Sequence, residues 1–380
     1  MTRVPYNRRS GKARSEVPPV RDDPPQALTT TVRESESHAR LSVIVPAYNG
    51  GTALTECLDA LRASVGPEHE VLLVDDASTD DTAARAEARG LRVIRLARNG
   101  GPAAARNEGA RQARGDVLLF VDADVVLAPD AIGRVTRTLL ADASVSAIFG
   151  SYDAHPRAPG IVSQYRNLLH HFVHQTGNVE ASTFWAGCGA VRRAAFAEVG
   201  GFDELRYNAP AIEDIELGYR LRSAGHRIVL DKQLLATHLK RWTLRSMIST
   251  DLWRRAIPWS RLIFERSEFP GDLNLKAAQR VSVTLTGLAA VFLVLAAWRP
   301  ELVLAAVVAL AGVVVLNQGL FRFLARERGL AFAVACVPLH LVHHSCSGLG
   351  FVLARLELLW GGRLKAEPGL PAERSTPDGR

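Results

Sequence analysis

The residues best placed to do chemistry are Asp122 and Asp124, which close the apolar run DVLLFVDAD (116–124). Along an extended strand, residues i and i+2 point the same way, so both carboxylates can converge on one hard cation. Magnesium or manganese holding a diphosphate wants few protein oxygens, with phosphates and water completing the shell. A polar turn capping a buried strand also reads DxD, so the pair alone does not decide. Upstream, Asp75-Asp76-Ala77-Ser78-Thr79-Asp80-Asp81 follows the run EVLLVD. Ser78 or Thr79 is expected to cap a following helix. That leaves Asp75 and Asp76 on the strand side, where a carboxylate can accept a hydrogen bond from a nucleobase. Asn99-Gly100-Gly101-Pro102, followed by Ala103 to Asn107, makes a helix start rich in free N–H groups, with the cation Arg106 one turn in. That suits a diphosphate; neither the Walker A nor the G-x-G-x-x-G order is present. Far downstream, Glu213-Asp214 opens the stretch EDIELGYRLRSAG. A carboxylate at a helix start can take a proton from a hydroxyl, or can simply complement the helix dipole.

These residues need elements to hold them. LSVIVP (41–46), EVLLVD (70–75), RVIRL (92–96) and DVLLFVDAD (116–124) are short apolar runs ending in turn residues, as buried parallel strands do. Helical stretches lie between them, at Ala53–Ser64, Thr79–Arg89 and 100–113. Alternating strands and helices predict βαβ units, a mostly parallel sheet and right-handed crossovers. Ligands bind such sheets beyond the carboxyl ends of the strands. Here those ends are Pro46-Ala47-Tyr48-Asn49, Asp75-Asp76-Ala77-Ser78, Ala97-Arg98-Asn99-Gly100 and Asp122-Ala123-Asp124.

The 380 residues have room for one large domain and further segments. Apolar residues are unevenly spread. The stretches 281–298 and 302–316 carry no charge, and each approaches the roughly 20 residues that cross a hydrocarbon core, the second most closely if it runs on through Phe321. A third stretch, Leu330 to Ala354, is apolar but includes Pro338, His340, His343 and His344. The net charge of +7 falls largely on the start of the chain and around the apolar stretches. That pattern fits an anionic membrane surface, and no nucleic-acid module is recognisable. Cys57, Cys188, Cys336 and Cys346 show no framework spacing, which points to a reducing compartment without disulfide or zinc. Residues 1–40 read as a disordered basic tail. Arg3, Arg8, Arg9, Lys12 and Arg14 have no apolar h-region after them, so a cytoplasmic catalytic domain is expected.

In order, VIVPAYNGG, VLLVDDASTDDT, NGGPAAARNEGA and FVDADV resemble the donor half of family 2 glycosyltransferases of the GT-A fold. The likeness runs from about Leu41 to His238. It implies that Pro46, Tyr48, Asp75 and Asp76 hold the base and ribose, that Arg106 approaches the nucleotide, and that Asp122 and Asp124 bind Mn2+ or Mg2+. TFWAGCGAVRRAAFAEVGGFDE (183–204) is similar to the acceptor-side strand, helix and turn, with Trp185, Gly187, Cys188 and Gly189 facing the acceptor. IEDIELGYRLRSAG (212–225) resembles the ED motif, with Asp214 the base and Glu213 its positioning neighbour. HLKRW (238–242) resembles Q-x-x-R-W with His in place of Gln, which puts Arg241 and Trp242 on the acceptor side and makes His238 either a third metal ligand or an ordinary interface histidine. The departure from Gln counts against a polymer-threading role.

The expected organisation is a tail (1–40), a GT-A catalytic domain (41–241) and an amphipathic interfacial segment (242–275) broken or kinked at Pro258. Transmembrane helices follow (276–360), two with a third possible, and then a tail (361–380). The expected activity is inverting transfer from a nucleotide-sugar donor to a hydroxyl of a lipid or lipid-linked glycan, by a multi-pass protein of the cell membrane. A polyprenyl-phosphate transferase, a processive polysaccharide synthase and a non-catalytic scaffold derived from a transferase are the alternatives. A sugar-nucleotide pyrophosphorylase would want a Gly- and Arg-rich loop after the first strand, where this chain has PAYNGG.

Overall fold

A computed structural model describes residues 41–266 and 276–361. The expected tail at 1–40, residues 267–275 of the interfacial segment and residues 362–380 lie outside the described residues. The strands are β1 (Leu41–Ala47), β2 (Glu70–Asp75), β3 (Arg92–Arg95), β4 (Val117–Val121), β5 (Val125–Leu127), β6 (Val145–Tyr152), β7 (Cys188–Arg192) and β8 (Arg227–His238). Helices of the catalytic domain are α1 (Gly51–Ser64), α2 (Thr82–Glu87), α3 (Gly101–Gln112), α4 (Ala131–Ala141), α5 (Ile161–Gln175), α6 (Arg193–Glu198) and α7 (Glu213–Ser223). Then come α8 (Leu244–Ser249), a π-helical stretch (Thr250–Ala256) and α9 (Ile257–Arg266). The apolar C-terminal part holds α10 (Ala277–Leu295), α11 (Leu302–Leu316), α12 (Gln318–Arg328) and α13 (Leu330–Trp360).

All eight strands form one sheet, in the order β3-β2-β1-β4-β7-β6-β8-β5. The pairs β1–β2, β1–β4, β2–β3 and β6–β8 are parallel; β4–β7, β6–β7 and β5–β8 are antiparallel. Strand alternation sorts the apolar residues into two layers. Ile44, Leu72, Val74 and Phe120 face one side, where Phe120 meets Phe196 and Phe202 at 5.6 and 5.2 Å. Val43, Val45, Leu73 and Leu119 face the other, against Leu54, Leu58 and Leu61 of α1. Both faces are covered, which is why these strands read as unbroken apolar runs.

Two local expectations are corrected. The helix placed from Thr79 starts only at Thr82, because Ser78 and Thr79 do not cap it. They latch the β1 and β2 exits together instead: Asn49 N donates to Ser78 Oγ at 2.9 Å, and Thr79 N donates to Asn49 Oδ1 at 2.9 Å. Asp80 Oδ1 accepts from Thr82 N at 3.0 Å. The DxD pair, for its part, is not on a strand. β4 ends at Val121, and Asp122 to Asp124 form a tight turn into β5, closed by Val125 N donating to Asp122 O at 3.0 Å.

The apolar C-terminal part differs from its sequence reading. α10 and α13 are each long and apolar enough to cross a membrane, as candidate spans. α11 is only 15 residues long and turns by 66° into α12, so 302–321 is not one straight span. The charged and polar residues of α12 have no place in a bilayer core, and its helix bends away at Asn317. α10 and α11 form a hairpin, packed through Ala289, Ala306 and Ala309. α12 and α13 dock on the catalytic domain, where Tyr165 and Leu168 of α5, Met247, Leu320 and Leu339 make one buried cluster.

The segment 242–266 is clamped between the catalytic domain and α13 rather than lying alone. Trp259 Nε1 donates to Tyr219 Oη at 3.0 Å, and Arg261 grips Glu357 of α13 through two bonds of 2.6 Å. Pro258 causes no break: the chain stays helical on both sides of it, from Leu244 to Arg266. The π-helical stretch just before it supplies the irregularity instead.

Candidate active site

The exits of β1, β2 and β4 and the end of β8 gather the residues singled out above. Tyr48, after β1, is 43% exposed and free to stack on a flat ring, whereas Pro46 is buried in the strand. Asp75 and Asp76 end β2, both nearly fully buried. Asp75 Oδ1 accepts from Ser78 N at 2.9 Å, bracing Ala77 in the left-handed region at φ 59°. Asp76 accepts from Gly100 N at 2.8 Å and from Gly101 N at 2.9 Å. Burial raises the Asp76 carboxyl above its ordinary value against those two bonds.

This overturns the reading of 99–102 as a diphosphate seat. Asp76 already takes the first amides of α3. The chain at Asn208 lies so close that a Cβ on Gly101 would stand 2.5 Å from the Asn208 carbonyl oxygen. A phosphate would have to displace both.

Arg106 sits one turn into α3, buried, between the two halves of the site. Nη2 donates to Asp122 Oδ1 at 2.7 Å and Nη1 donates to Glu213 Oε1 at 2.8 Å. Glu213 Oε2 accepts from Ala211 N at 2.9 Å, so both oxygens of Glu213 are spoken for. Arg106 is therefore a brace between the DxD turn and α7, and does not reach toward a nucleotide as the resemblance implied.

Asp214, the next residue on α7, accepts from Ala186 N at 3.1 Å and from Ile215 N at 2.8 Å. Burial, and then the charge of Glu213, push its pKa up to about 6. A carboxyl poised near neutrality and held by backbone donors is suited to accept a proton. Asp122 is raised as well, because burial outweighs Arg106. Burial also acts on Asp124, but His238 and Lys240 outweigh it and hold that carboxyl below its usual range.

His238 closes β8, stacked on Tyr152 at 4.5 Å with ring planes 7° apart. Asn167 Oδ1 of α5 lies 2.8 Å from Nδ1, which fixes the orientation of the ring. Nε2 faces Asp124 Oδ2, 3.4 Å away, the contact that lowers that carboxyl. A divalent cation that displaced a proton from Nε2 would have the ring nitrogen and the carboxylate on either side of it. Asp122 and Asp124 are about a third exposed, 34% and 35%, so both can be reached from solvent. Among the described residues no three His, Cys, Asp or Glu side chains are gathered around one point, so phosphate oxygens and water would complete any shell.

On the acceptor side the structure separates the sequence candidates. Trp185 is half-buried against Tyr152 and His170, both at 4.8 Å. A Cβ on Gly187 would lie 2.6 Å from the Trp185 ring, and one on Gly189 2.2 Å from the Trp185 carbonyl oxygen. The glycines thus make room for Trp185 itself rather than for a sugar. Cys188 is fully buried in the core, its thiol pushed up to about 12 by burial, and cannot face a ligand. Arg241 is exposed, and Trp242 lies against Lys240 and Arg166 at 4.4 and 5.4 Å. All four cysteines are free and buried.

Sequence reasoning missed Asn167, Tyr152 and the residues of the π-helical stretch. The signal available was the polar set Arg166, Asn167, His170 and His174, spaced three or four apart on α5, all at buried or half-buried positions.

Comparison with known proteins agrees with this architecture. Residues 42–200 match the model of glycosyl transferase family 2. An uncharacterized glycosyltransferase of Haemophilus influenzae is 26% identical over 223 residues, covering 56% of this chain and 71% of its own. An undecaprenyl-phosphate 4-deoxy-4-formamido-L-arabinose transferase of Klebsiella pneumoniae is 38% identical over 105 residues, 25% of this chain and 32% of its own. Among solved structures, the mannosyltransferase PcManGT of Pyrobaculum calidifontis, in complex with GDP-Man and Mn2+, superposes with a TM-score of 0.53 at 19% identity. It covers 85% of this chain and 88% of its own, which bears on the fold. The fold and the ordered strand-end motifs define a GT-A sugar-transferring domain. Residues 42–200 thus form a domain similar to glycosyl transferase family 2.

Proposed function

We propose that this protein is a metal-dependent inverting glycosyltransferase, which moves a sugar from a nucleoside-diphosphate donor to a hydroxyl of a lipid or lipid-linked glycan. The observation that carries this reading is Asp214. It is a half-buried carboxylate with a pKa near 6, fixed by Ala186 N and Ile215 N and joined through Glu213 and Arg106 to the DxD turn. Tyr48 and the β2 exit at Asp75 hold the base and ribose. Asp76 acts by shaping the loop at Gly100. Asp122 and Asp124, with His238 beside Asp124, would hold a Mn2+ or Mg2+ ion in a shell completed by phosphate oxygens and water, and its charge would stabilise the departing nucleoside diphosphate. Asp214 takes the proton from the acceptor hydroxyl as its oxygen attacks the sugar carbon from the face opposite the leaving group, which inverts the configuration. Trp185, exposed on one side beside Asp214's partner Ala186, offers a platform for the acceptor sugar. Trp242 and Arg241 line the way from the membrane side.

The bilayer location rests on α10 and α13, and the positively charged residues that flank α10 to α12 favour a catalytic domain on the cytoplasmic side. The Mn2+ in the Pyrobaculum structure supports the cofactor, and the undecaprenyl-phosphate in the Klebsiella relative's name supports a lipid-linked acceptor, though not the hydroxyl over the phosphate. The test is hydrolysis of a panel of UDP- and GDP-sugars by the purified chain, with and without Mn2+. Turnover of at least one donor, dependent on Mn2+, is expected; none with any donor would remove the reading.

A further inference from the structure

Arg255, on the π-helical stretch, carries a charge that the transfer reaction leaves unused. Four residues before it, Asp251 is the natural partner within a helix. Asp251, however, gives its carboxylate to Arg166 Nη2 at 2.5 Å and to His343 Nδ1 of α13 at 2.8 Å. Among the described residues Arg255 makes no hydrogen bond and no ion pair within 4 Å. Its guanidinium is half-buried, and its electrostatic neighbours are Arg166, Asp251, Asp214 and Tyr152, with His170 and His174 close enough to feel it. Its charge therefore acts on the candidate base Asp214, while its chain neighbour Ala256 packs on α13.

A half-buried guanidinium beside a second arginine is costly to keep without a partner. π-helical turns recur at functional sites, where they re-aim a side chain. The planar fork of arginine matches a phosphate through two parallel hydrogen bonds. The donor's diphosphate has its own cation site at Asp122 and Asp124, so a second cationic centre beside Asp214 answers to a separate anion. The direction of approach is given by Ala256, next in the chain: a Cβ on Gly350 of α13 would lie 2.4 Å from its Cβ. A helix that is a candidate membrane span thus touches the residue beside Arg255.

We propose that Arg255 binds a phosphate of the acceptor, the group that joins the accepting sugar to its lipid. This rests on the transferase reading, which is read separately by Mn2+-dependent hydrolysis of nucleotide sugars. The phosphate chemistry could also come from the donor's diphosphate, so the experiment has two arms. The full chain in nanodiscs of phosphatidylcholine, with EDTA present, is titrated with a long-chain prenyl phosphate and with the matching prenol. Charge-assisted hydrogen bonds of this kind are worth about 10- to 100-fold in affinity, so wild type should prefer the phosphate by that factor. Arg255→Gln should erase the preference, and Arg255→Lys should keep part of it. In the second arm, UDP and GDP are titrated with Mn2+. Equal binding of phosphate and prenol by wild type would overturn the proposal, as would a preference kept in Arg255→Gln. So would an Arg255→Gln effect confined to UDP or GDP.

Discussion

Arg106 Nη1 donates to Glu213 Oε1 at 2.8 Å, a bond between residues 107 apart in sequence that ties α3 to the start of α7. Both side chains are nearly fully buried, at 5% and 7%, so neither charge can turn to water if the other is removed. Loss of one member of a buried ion pair costs about 3–5 kcal/mol. For a domain of this size, melting should then drop by on the order of 10 °C in Glu213→Ala. Arg106→Met with Glu213→Leu should recover part of that loss, because the charge left without its partner is Asp122, which is a third exposed to water. Scanning fluorimetry of the three chains checks this; a Glu213→Ala melt within a degree of wild type would contradict the brace.

His238 is oriented from outside the DxD turn, by its 2.8 Å contact with Asn167. Asn167→Leu should leave the fold intact and weaken Mn2+-dependent binding of UDP or GDP by about 10- to 100-fold, as loss of a supporting hydrogen bond to a metal-binding histidine does. Asp124→Asn should abolish the metal-dependent part altogether. Calorimetric titration with and without Mn2+ separates the two. An unchanged metal-dependent affinity in folded Asp124→Asn would remove the turn as a cation site.

Asp214 titrates near 6, raised by burial and by Glu213. A base must be unprotonated, so its contribution is present above that pH and lost below it. Turnover should therefore be flat from about pH 7 upward and fall toward tenfold per unit below about pH 6. The acid limb should vanish from the residual activity of Asp214→Asn. A profile flat down to pH 5 in wild type would place the proton elsewhere.

The strands of the donor half were legible because both sheet faces are buried, which makes each strand a short apolar run with a polar exit. Asp122, Asp124, Glu213 and Asp214 were legible as an ordered set and not singly, because a carboxylate at a helix start is favourable with no ligand to serve. Asn167 and Arg255 were not, since their meaning depends on how α5 and the π-helical stretch pack, and no local pattern encodes that. The glycines were misread for a related reason: Gly187 and Gly189 answer to Trp185, a neighbour in the chain whose rotamer the sequence does not show. The bend at Asn317 was hidden because apolar length alone suggests a span, while the apolar face of α12, with Leu320 and Leu324, docks on α5.

The turn between α10 and α11, at Arg299-Pro300-Glu301, is expected outside the cell if the hairpin crosses the bilayer with its basic ends inside. A cysteine in place of Pro300 should react with an impermeant maleimide on intact cells, while the four native cysteines, all buried, give little background. Reaction only after lysis would mean the hairpin does not cross.

The central claim is that a hydroxyl acceptor is activated by Asp214. A lipid phosphate is already ionised near neutral pH, its second pKa being about 6, and needs no base. A hydroxyl gains about 10²–10⁴-fold from a positioned carboxylate. The direct measurement is sugar transfer from the active nucleotide sugar to polyprenyl phosphate and to hydroxyl-bearing lipids or glycolipids, side by side, by wild type and Asp214→Asn. Transfer to a hydroxyl acceptor, reduced 10²–10⁴-fold in Asp214→Asn with donor binding retained, is the predicted result. Efficient transfer to polyprenyl phosphate, undiminished in Asp214→Asn, would contradict both the acceptor class and the base.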